Sequence, residues 1–311
     1  MLIGFTMGNL KSVFAATVAV GAILGISAAP AADMAVKAAP VMAPVFSWSG
    51  CYVGGNAGWI GGDNDYYLAP SGSYLTPPGG SPPPNAAGSG DFSANVAALT
   101  HTYSSHPSGG LIGAQIGCNQ QAGRFVFGVE ADWQWTSQRN SVDASYASFA
   151  DLGNAVFTNA AHTEHVSSNL NSFGTFRGRA GFDFNRLFLY GTGGLAVADV
   201  RSDTNVSFAT FPVNPVYNGA VHIGSNSEIR VGWVAGAGAE YAFASNWSVK
   251  AEYLYVDLGT QTYRSPLVAA VAPSAVGPGY NWTTSVRNRD NIVRVGLNYK
   301  FNWAFPAVAQ Y

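Results

Sequence analysis

The segment Phe125-Val-Phe-Gly-Val-Glu-Ala-Asp-Trp-Gln-Trp135 decides the fold. Its odd-numbered residues are apolar and mostly aromatic, whereas its charged and amide side chains all have even numbers. Successive residues of a β-strand point to opposite faces of a sheet, so this alternation predicts a strand with one apolar face and one polar face. Such a strand is typical of a β-barrel that crosses a membrane.

The same two-faced pattern returns in four later segments, at about 172–183, 229–243, 247–257 and 291–303. Apart from Asp257, the last residue of its segment, the charged residues of each segment share one face, which we predict to face the lumen of the barrel. The predicted luminal charge cluster contains Glu130, Asp132, Arg177, Arg179, Arg230, Glu240, Lys250, Glu252, Arg294 and Lys300. We expect these charges to pair and fill the lumen, since isolated buried charges are costly. A water-filled path is the alternative.

Composition separates a membrane barrel from a soluble one with its apolar face inside. Only 10% of residues are charged, against about 25% in an average soluble domain. No apolar run past residue 30 reaches the roughly 20 residues that a membrane helix needs. The net charge of −2 gives no basic excess, so nucleic acid is not expected as a partner.

The connections between strands alternate between long and short. Three short ones lie at 121–124, 185–186 and 244–246, and the long ones cover about 61–109, 136–171, 199–228 and 258–290. This predicts an all-β, antiparallel transmembrane barrel of eight strands with short periplasmic turns and long extracellular loops. The strands are expected at about 50–60, 110–120, 125–135, 172–183, 187–198, 229–243, 247–257 and 291–303.

The N-terminal residues have the features of a secretory signal. Lys11 precedes an uncharged run from Val13 to Ile26, and Ala29-Pro30-Ala31 offers a cleavage site. We therefore predict a removed signal peptide (1–31), a periplasmic linker (32–48), the outer-membrane barrel (49–303) and a C-terminal tail (304–311). An uncleaved anchor is the alternative, and Met7 could be the true start instead of Met1.

Five segments carry a family resemblance: Phe46–Trp59, Phe176–Phe182, Tyr190–Ala196, Trp247–Gly259 and Asn291–Phe301. Their order and spacing resemble those of the porin-family outer-membrane immunogenic proteins, which have an OmpA-like eight-stranded barrel. The resemblance implies a location in the cell outer membrane, with lipid and lipopolysaccharide as surroundings. It also implies insertion by the barrel-assembly machinery, which reads an aromatic-ended last strand. This chain departs from the family by continuing past Trp303.

The sequence contains no recognisable enzyme constellation, so we predict no catalytic residues, no enzyme activity and no cofactor. All five histidines fall in predicted loops. Within one of these loops, His162-Thr-Glu-His165 could hold haem iron or a transition metal, because imidazole binds such metals. Some relatives of the resembled family are described as haem binders. The alternative is that polar loops simply contain these polar residues.

The two cysteines of the chain, Cys51 and Cys118, are predicted to form a disulfide. Antiparallel pairing of the first two predicted strands brings both to the periplasmic end, and an exported protein meets an oxidising compartment. Two free thiols facing lipid are the alternative.

These patterns predict a structural or surface-interacting role in the envelope, with at most a narrow channel. Porin-like transport of small solutes and capture of haem or another ligand by the extracellular loops are the alternatives. The oligomeric state is left open.

Overall fold

A computed structural model describes residues 46–72, 99–147, 161–209, 219–270 and 279–301. These ranges contain no helix long and apolar enough to cross a membrane. The predicted signal peptide, most of the predicted linker and the predicted tail lie outside the described residues. The strands are β1 (Gly50–Gly72), β2 (His101–Ser105), β3 (Ser108–Ala122), β4 (Phe125–Thr136), β5 (Ser141–Tyr146), β6 (His162–Phe184), β7 (Leu187–Phe208), β8 (Val221–Ala242), β9 (Trp247–Ala269) and β10 (Tyr280–Lys300).

Eight of these strands close into a ring in which every neighbouring pair is antiparallel. The order is β1–β3–β4–β6–β7–β8–β9–β10, and β10 pairs with β1 from Tyr52↔Lys300 to Gly72↔Tyr280. Past the extracellular ends of β3 and β4, the short strands β2 and β5 pair with β1 and β6. The predicted eight-stranded antiparallel barrel is therefore confirmed.

Two of the short turns depend on residues in the left-handed backbone conformation. Gly123 and Asn185 have φ angles of 63° and 65°. Tight hairpin turns need positive φ, which glycine and asparagine adopt at a lower cost than other residues. Both turns lie where the sequence places them, at the periplasmic end of the barrel.

The outward face of the membrane-spanning part is apolar, as the alternation predicts. Phe125, Trp135, Phe176, Val231 and Val293 each expose between 58 and 65% of their surface. Tryptophan and tyrosine side chains mark both ends of this band, as expected at membrane interfaces. The girdle residues are Trp59, Trp133, Trp135 and Trp233 near the extracellular boundary and Tyr241, Trp247 and Tyr299 near the periplasmic one.

Six strands are longer than the sequence predicts, and the extra length lies on the extracellular side. For example, β6 begins at His162 instead of about 172, and β10 begins at Tyr280 instead of about 291. In these extensions most apolar residues are on the inward face and the outward face is mostly polar, which is the reverse of the membrane-spanning part. Trp282, Thr284 and Val286 of β10 are buried, whereas Asn281, Thr283 and Ser285 between them are partly exposed. Above the membrane the outer face meets water, so the apolar side chains face inward.

Candidate functional site

The barrel interior is stacked in layers along its axis. Trp48 closes the periplasmic end, where its indole Nε1–H donates to Asp183 Oδ1 at 3.0 Å and its ring packs on Phe188. The predicted linker therefore ends inside the barrel mouth. Above Trp48 lies a set of eight buried ionisable side chains that we call the charged layer: Glu130, Asp132, Arg177, Arg179, Glu240, Lys250, Glu252 and Arg294.

Strand register places opposite charges side by side in the wall of the charged layer. Glu130 of β4 lies opposite Arg177 of β6, and Arg294 of β10 lies opposite Glu252 of β9. The Arg177 Nη2 group is 2.5 Å from Glu130 Oε1, and the Arg294 Nη2 group is 2.6 Å from Glu252 Oε2. Directly opposed residues of antiparallel strands have close Cβ atoms, so these pairs follow from the pairing of the strands.

Other ion pairs of the charged layer cross the lumen between strands that are not neighbours. Arg177 Nη1 is 3.0 Å from Glu252 Oε1, and Arg294 Nη2 is 2.8 Å from Asp132 Oδ2. Lys250 Nζ lies 2.7 Å from Glu130 Oε1. The six side chains of these ion pairs are each 0–1% exposed. The network therefore connects opposite walls of the barrel.

Arg179 extends the charged layer towards the periplasm. It lies 3.1 Å from Glu240 and sits over the ring of Tyr52 at 4.8 Å. The Tyr52 hydroxyl in turn donates to Glu130 Oε2 at 2.5 Å. The rings of Phe188 and Tyr190 also lie within 5.4 Å of the Arg179 guanidinium, and the three rings shield it from water, which strengthens its ion pair with Glu240.

Eight of the ten predicted luminal charges form the charged layer, and two do not. Arg230 lies near the extracellular boundary, where its Nη2 donates to the carbonyl oxygen of Leu258 at 3.0 Å. Lys300 is the last residue of β10 and lies over the ring of Phe46 at 4.3 Å. Both residues have the predicted parity, but along the barrel axis they lie at different heights from the charged layer. Parity alone does not predict that height.

An apolar layer lies directly above the charged layer. Its members share the inward face with the charges and are buried: Ile60, Leu111, Leu170, Phe173, Ala196, Ala198, Val200, Val234, Leu254, Val256, Leu258 and Ile292.

An interior cavity beside Asn64 and Asp290 has a volume of about 10 Å³, and another near Trp48 and Lys300 is of the same size. Each is barely large enough for one water molecule.

The part of the barrel above the membrane has its own hydrophobic core, which we call the extracellular core. It contains Tyr66, Leu68, Leu99, Val166, Val206, Phe208, Ala220, Tyr263, Tyr280, Trp282 and Val286. The Tyr263 hydroxyl is hydrogen-bonded within the barrel, where it lies 2.7 Å from the Thr204 hydroxyl. Burial raises the pKa of the Tyr263 hydroxyl to about 12, so it stays neutral.

Beside the extracellular core, His101 of β2 and His162 and Glu164 of β6 converge. His101 Nδ1 lies 2.9 Å and His162 Nε2 lies 3.1 Å from the same oxygen, Glu164 Oε1. Burial raises the pKa of the Glu164 carboxyl, but hydrogen bonds from His162, Tyr103 and His101 outweigh burial and lower the pKa overall. The carboxylate is thus held in its charged form.

The predicted pairing of His162 with His165 is wrong in geometry. The two residues are three apart on a strand, so they point to opposite faces. His162 is 3% exposed inside the barrel, whereas His165 faces outward and contacts Asp143 at 2.6 Å. The prediction that all five histidines lie in loops is also wrong, because His101, His162, His165 and His222 lie in strands.

Cys51 and Cys118 are joined in a disulfide in the structure. They lie directly opposite each other in the paired strands β1 and β3, near the periplasmic end. Their side chains are on the outer face of the barrel, where Cys118 is exposed. The pairing is the one that the sequence predicts.

Several residues of these interior clusters were not predicted from the sequence. Leu254 and Ile292 could have been found, because they share parity with predicted luminal residues of their strands, whereas no luminal residue was predicted in the strand of Tyr52. Tyr103, Tyr146 and His101 carry no such signal. His101 and Tyr103 lie in β2, whose sequence shows no apolar face, and Tyr146 lies in β5, which alternates over only six residues.

Two curated relatives show how far the similarity extends. The 31 kDa outer-membrane immunogenic protein of Brucella melitensis is 34% identical over 94% of this chain and 100% of its own length. The 22 kDa outer membrane protein of Rhizobium leguminosarum is 27% identical over 85% of this chain and 82% of its own. The resemblance noted in the sequence is therefore confirmed.

Among solved structures, the outer membrane protease OmpT of Escherichia coli matches 82% of this chain and 98% of its own chain. The sequences are 13% identical and the TM-score is 0.44. Nothing about activity follows from a similarity at this level.

A family model described as an outer membrane protein beta-barrel domain matches residues 18–301. This match covers every strand of the ring, from the disulfide-linked β1 and β3 to the closing strand β10. The chain therefore belongs to the outer membrane protein beta-barrel domain family.

Proposed function

We propose that this protein is a structural barrel of the outer membrane that presents its extracellular strands and loops at the cell surface and conducts little or no solute. The charged layer is the observation that carries the proposal, because its ion pairs link opposite walls across the lumen. The apolar layer and the extracellular core lie above it and support the same function.

The balance of charge in the charged layer supports a stable plug. It contains four cations, Arg177, Arg179, Lys250 and Arg294, and four anions, Glu130, Asp132, Glu240 and Glu252. A solute that entered the layer would have to replace several of these ion pairs in a medium of low dielectric constant. Leaving one buried charge without its partner typically costs about 3–5 kcal/mol, which opposes opening.

The apolar layer supplies a second barrier of a different kind. Hydrated ions avoid a narrow apolar constriction, because the constriction offers no hydrogen bonds to replace their water. Small-solute transport would require both layers to rearrange at the same time. A general diffusion path is therefore the weaker alternative.

Display at the cell surface is proposed from the relatives and from the strands. The Brucella melitensis relative is named an immunogenic protein of the outer membrane. In this chain the extracellular extensions of β6 and β10 have polar outer faces. We infer that these surfaces meet the environment of the cell.

Export and assembly complete the proposal. We propose that residues 1–31 are removed during secretion and that the barrel-assembly machinery inserts the chain among lipid and lipopolysaccharide. We assign no enzymatic role to the charged layer, since its carboxylates are shielded from solvent and held by cations.

Planar-bilayer recording of the purified barrel tests the proposed function. The expected trace stays at the baseline or shows brief, small events, whereas a general porin inserted under the same conditions gives large stable steps. Liposome swelling in sugar solutions provides an independent measurement. Stable openings, or swelling at the porin's rate, would contradict the proposal.

A further inference from the structure

The His101, His162 and Glu164 side chains, which we call the His–Glu cluster, form a group that the proposed structural function does not use. Glu164 and His162 are two residues apart on β6, so both point into the barrel. His101 reaches them from β2, which pairs with β1 on the other side of the gap above β3 and β4. Their nearest ligand atoms lie within 4.8 Å of one another.

The three donor atoms already lie close together. Both imidazoles contact Glu164 Oε1, at 2.9 Å from His101 and 3.1 Å from His162. In a tetrahedral zinc site with bonds of about 2.0–2.1 Å, the ligand atoms lie roughly 3.3 Å apart. Small side-chain adjustments would therefore suffice to bring the three donors to bonding distance of one ion.

The second oxygen of the Glu164 carboxylate is also held by a hydrogen bond. The Tyr103 hydroxyl donates to Glu164 Oε2 at 2.5 Å, and the Tyr146 hydroxyl lies 2.5 Å from that of Tyr103. The His101 ring stacks on Tyr146 with 3.8 Å between centroids. Metal sites usually have such outer partners, which fix the orientation of the ligands.

We propose that His101, His162 and Glu164 bind a zinc ion within the extracellular part of the barrel. Two imidazole nitrogens and one carboxylate oxygen suit zinc and neighbouring transition metals, whereas calcium and magnesium prefer oxygen ligands alone. Three protein ligands leave a fourth position for water or for an external group. His162 and Glu164 are buried, and His101 is 16% exposed, which provides a way in from the outside.

Zinc titration of the folded full-length barrel in detergent, after treatment with a chelator, tests this site. Calorimetry should show one zinc ion bound per chain, with no comparable heat from calcium. Replacement of zinc by cobalt should give the visible absorption of a four-coordinate site. Failure of the wild-type barrel to bind zinc would overturn the proposal.

Substitutions distinguish the proposed ligands from other histidines. Glu164→Gln and His162→Gln should each weaken zinc binding by more than the roughly 10- to 100-fold that loss of an outer-shell partner causes, and Tyr103→Phe should fall within that range. His165→Gln is the matched control, because it lies on the same strand but faces outward. It should bind zinc as the wild type does.

Folding of each variant is checked by circular dichroism and by its heat-dependent gel mobility, so that affinity is compared only between folded barrels. Zinc should also raise the unfolding temperature of the wild type and of His165→Gln, since a ligand of the native state stabilises it. Unchanged affinity in folded Glu164→Gln, or an equal loss in His165→Gln, would assign the zinc to another place and overturn the proposal.

Discussion

The membrane-spanning half of the barrel and its extracellular half are built on opposite principles. In the first, Val293 and Val295 of β10 face lipid while Arg294 between them faces the lumen. In the second, Trp282 and Val286 of the same strand face inward, and polar residues face water. The same ring of strands therefore has a charged interior below and a hydrophobic core above.

The difference shows that the solvent outside the barrel decides what fills it. In lipid the outer face is apolar, so part of the interior can be occupied by charged groups, which must satisfy one another, while the apolar layer fills the part above them. In water the ordinary rule of an apolar core returns. We expect substitutions to be most damaging where charges are buried and less damaging where neutral hydrogen bonds fill the interior.

The largest effect should come from Arg177→Met. The substitution removes the cation that contacts Glu130, Asp132 and Glu252, leaving buried carboxylates with fewer partners. We expect a loss of about 3–5 kcal/mol in the free energy of unfolding, measured by urea titration in detergent with tryptophan fluorescence.

Arg201→Met is the matched control for that measurement. Arg201 lies in the extracellular part of β7, where its side chain is 62% exposed and 3.5 Å from Asp203. Exposed pairs contribute about 0–1 kcal/mol, so this variant should resemble the wild type. Equal losses in the two variants would mean that the charged layer is solvated and not a plug.

The second effect concerns the outer face of β8. Ala237 faces lipid midway between the girdle residues Tyr241 and Trp233, and Arg there should cost about 2–4 kcal/mol. Ser225→Arg places the same side chain on the same face of the strand above the membrane. It should change stability by at most about 0.5 kcal/mol. The yield of refolding into liposomes compares the two variants and should be lower for Ala237→Arg than for Ser225→Arg. Similar yields would mean that the membrane boundary lies elsewhere.

The sequence predicted the membrane-spanning half well because the alternation there has high contrast. In 125–135 every second residue is apolar and all of these but Ala131 are large, and the residues between are glycine, charged or amide-bearing with one exception, Val126. A search for apolar residues on one face and charges on the other finds such strands directly. The ring, the turns and eight luminal charges followed from it.

The extracellular half was missed because its alternation is inverted and has low contrast. In 162–170 the buried set mixes the apolar Val166 and Leu170 with His162, Glu164 and Ser168, and the outer set is polar. Periodicity identifies poorly a strand in which polar residues lie on both faces. Contacts such as that of His101 with Glu164 also depend on which strands meet above the membrane.

The third effect is a dependence on pH that should arise in the extracellular half. Burial lowers the pKa of His222 to about 4, and a backbone hydrogen bond involving Val206 opposes this only in part. The unfolded chain therefore takes up a proton near pH 6.5 while the folded chain does not. The contribution of His222 to the free energy of unfolding is therefore complete above pH 6.5 and is lost as the pH falls towards 4. The expected loss is about 2 kcal/mol at pH 5.

His222→Gln should reduce that dependence, because the substituted side chain does not titrate. The measurement compares the loss of unfolding free energy between pH 7 and pH 5 in the wild type and in the variant. An identical loss in both would show that carboxylates alone cause the acid sensitivity.

The smallest effect tests the neutral hydrogen bonds of the extracellular core. Tyr263→Phe removes a hydroxyl that lies 2.7 Å from that of Thr204, which keeps a second partner in Thr284 at 3.0 Å. Because the remaining hydroxyls can still pair, the expected loss is only about 0.5–1.5 kcal/mol. Tyr67→Phe, at an exposed position of β1, is the control and should lie within about 0.5 kcal/mol of the wild type. If Tyr263→Phe proved as damaging as Arg177→Met, the two halves would not differ in the way that their interiors indicate.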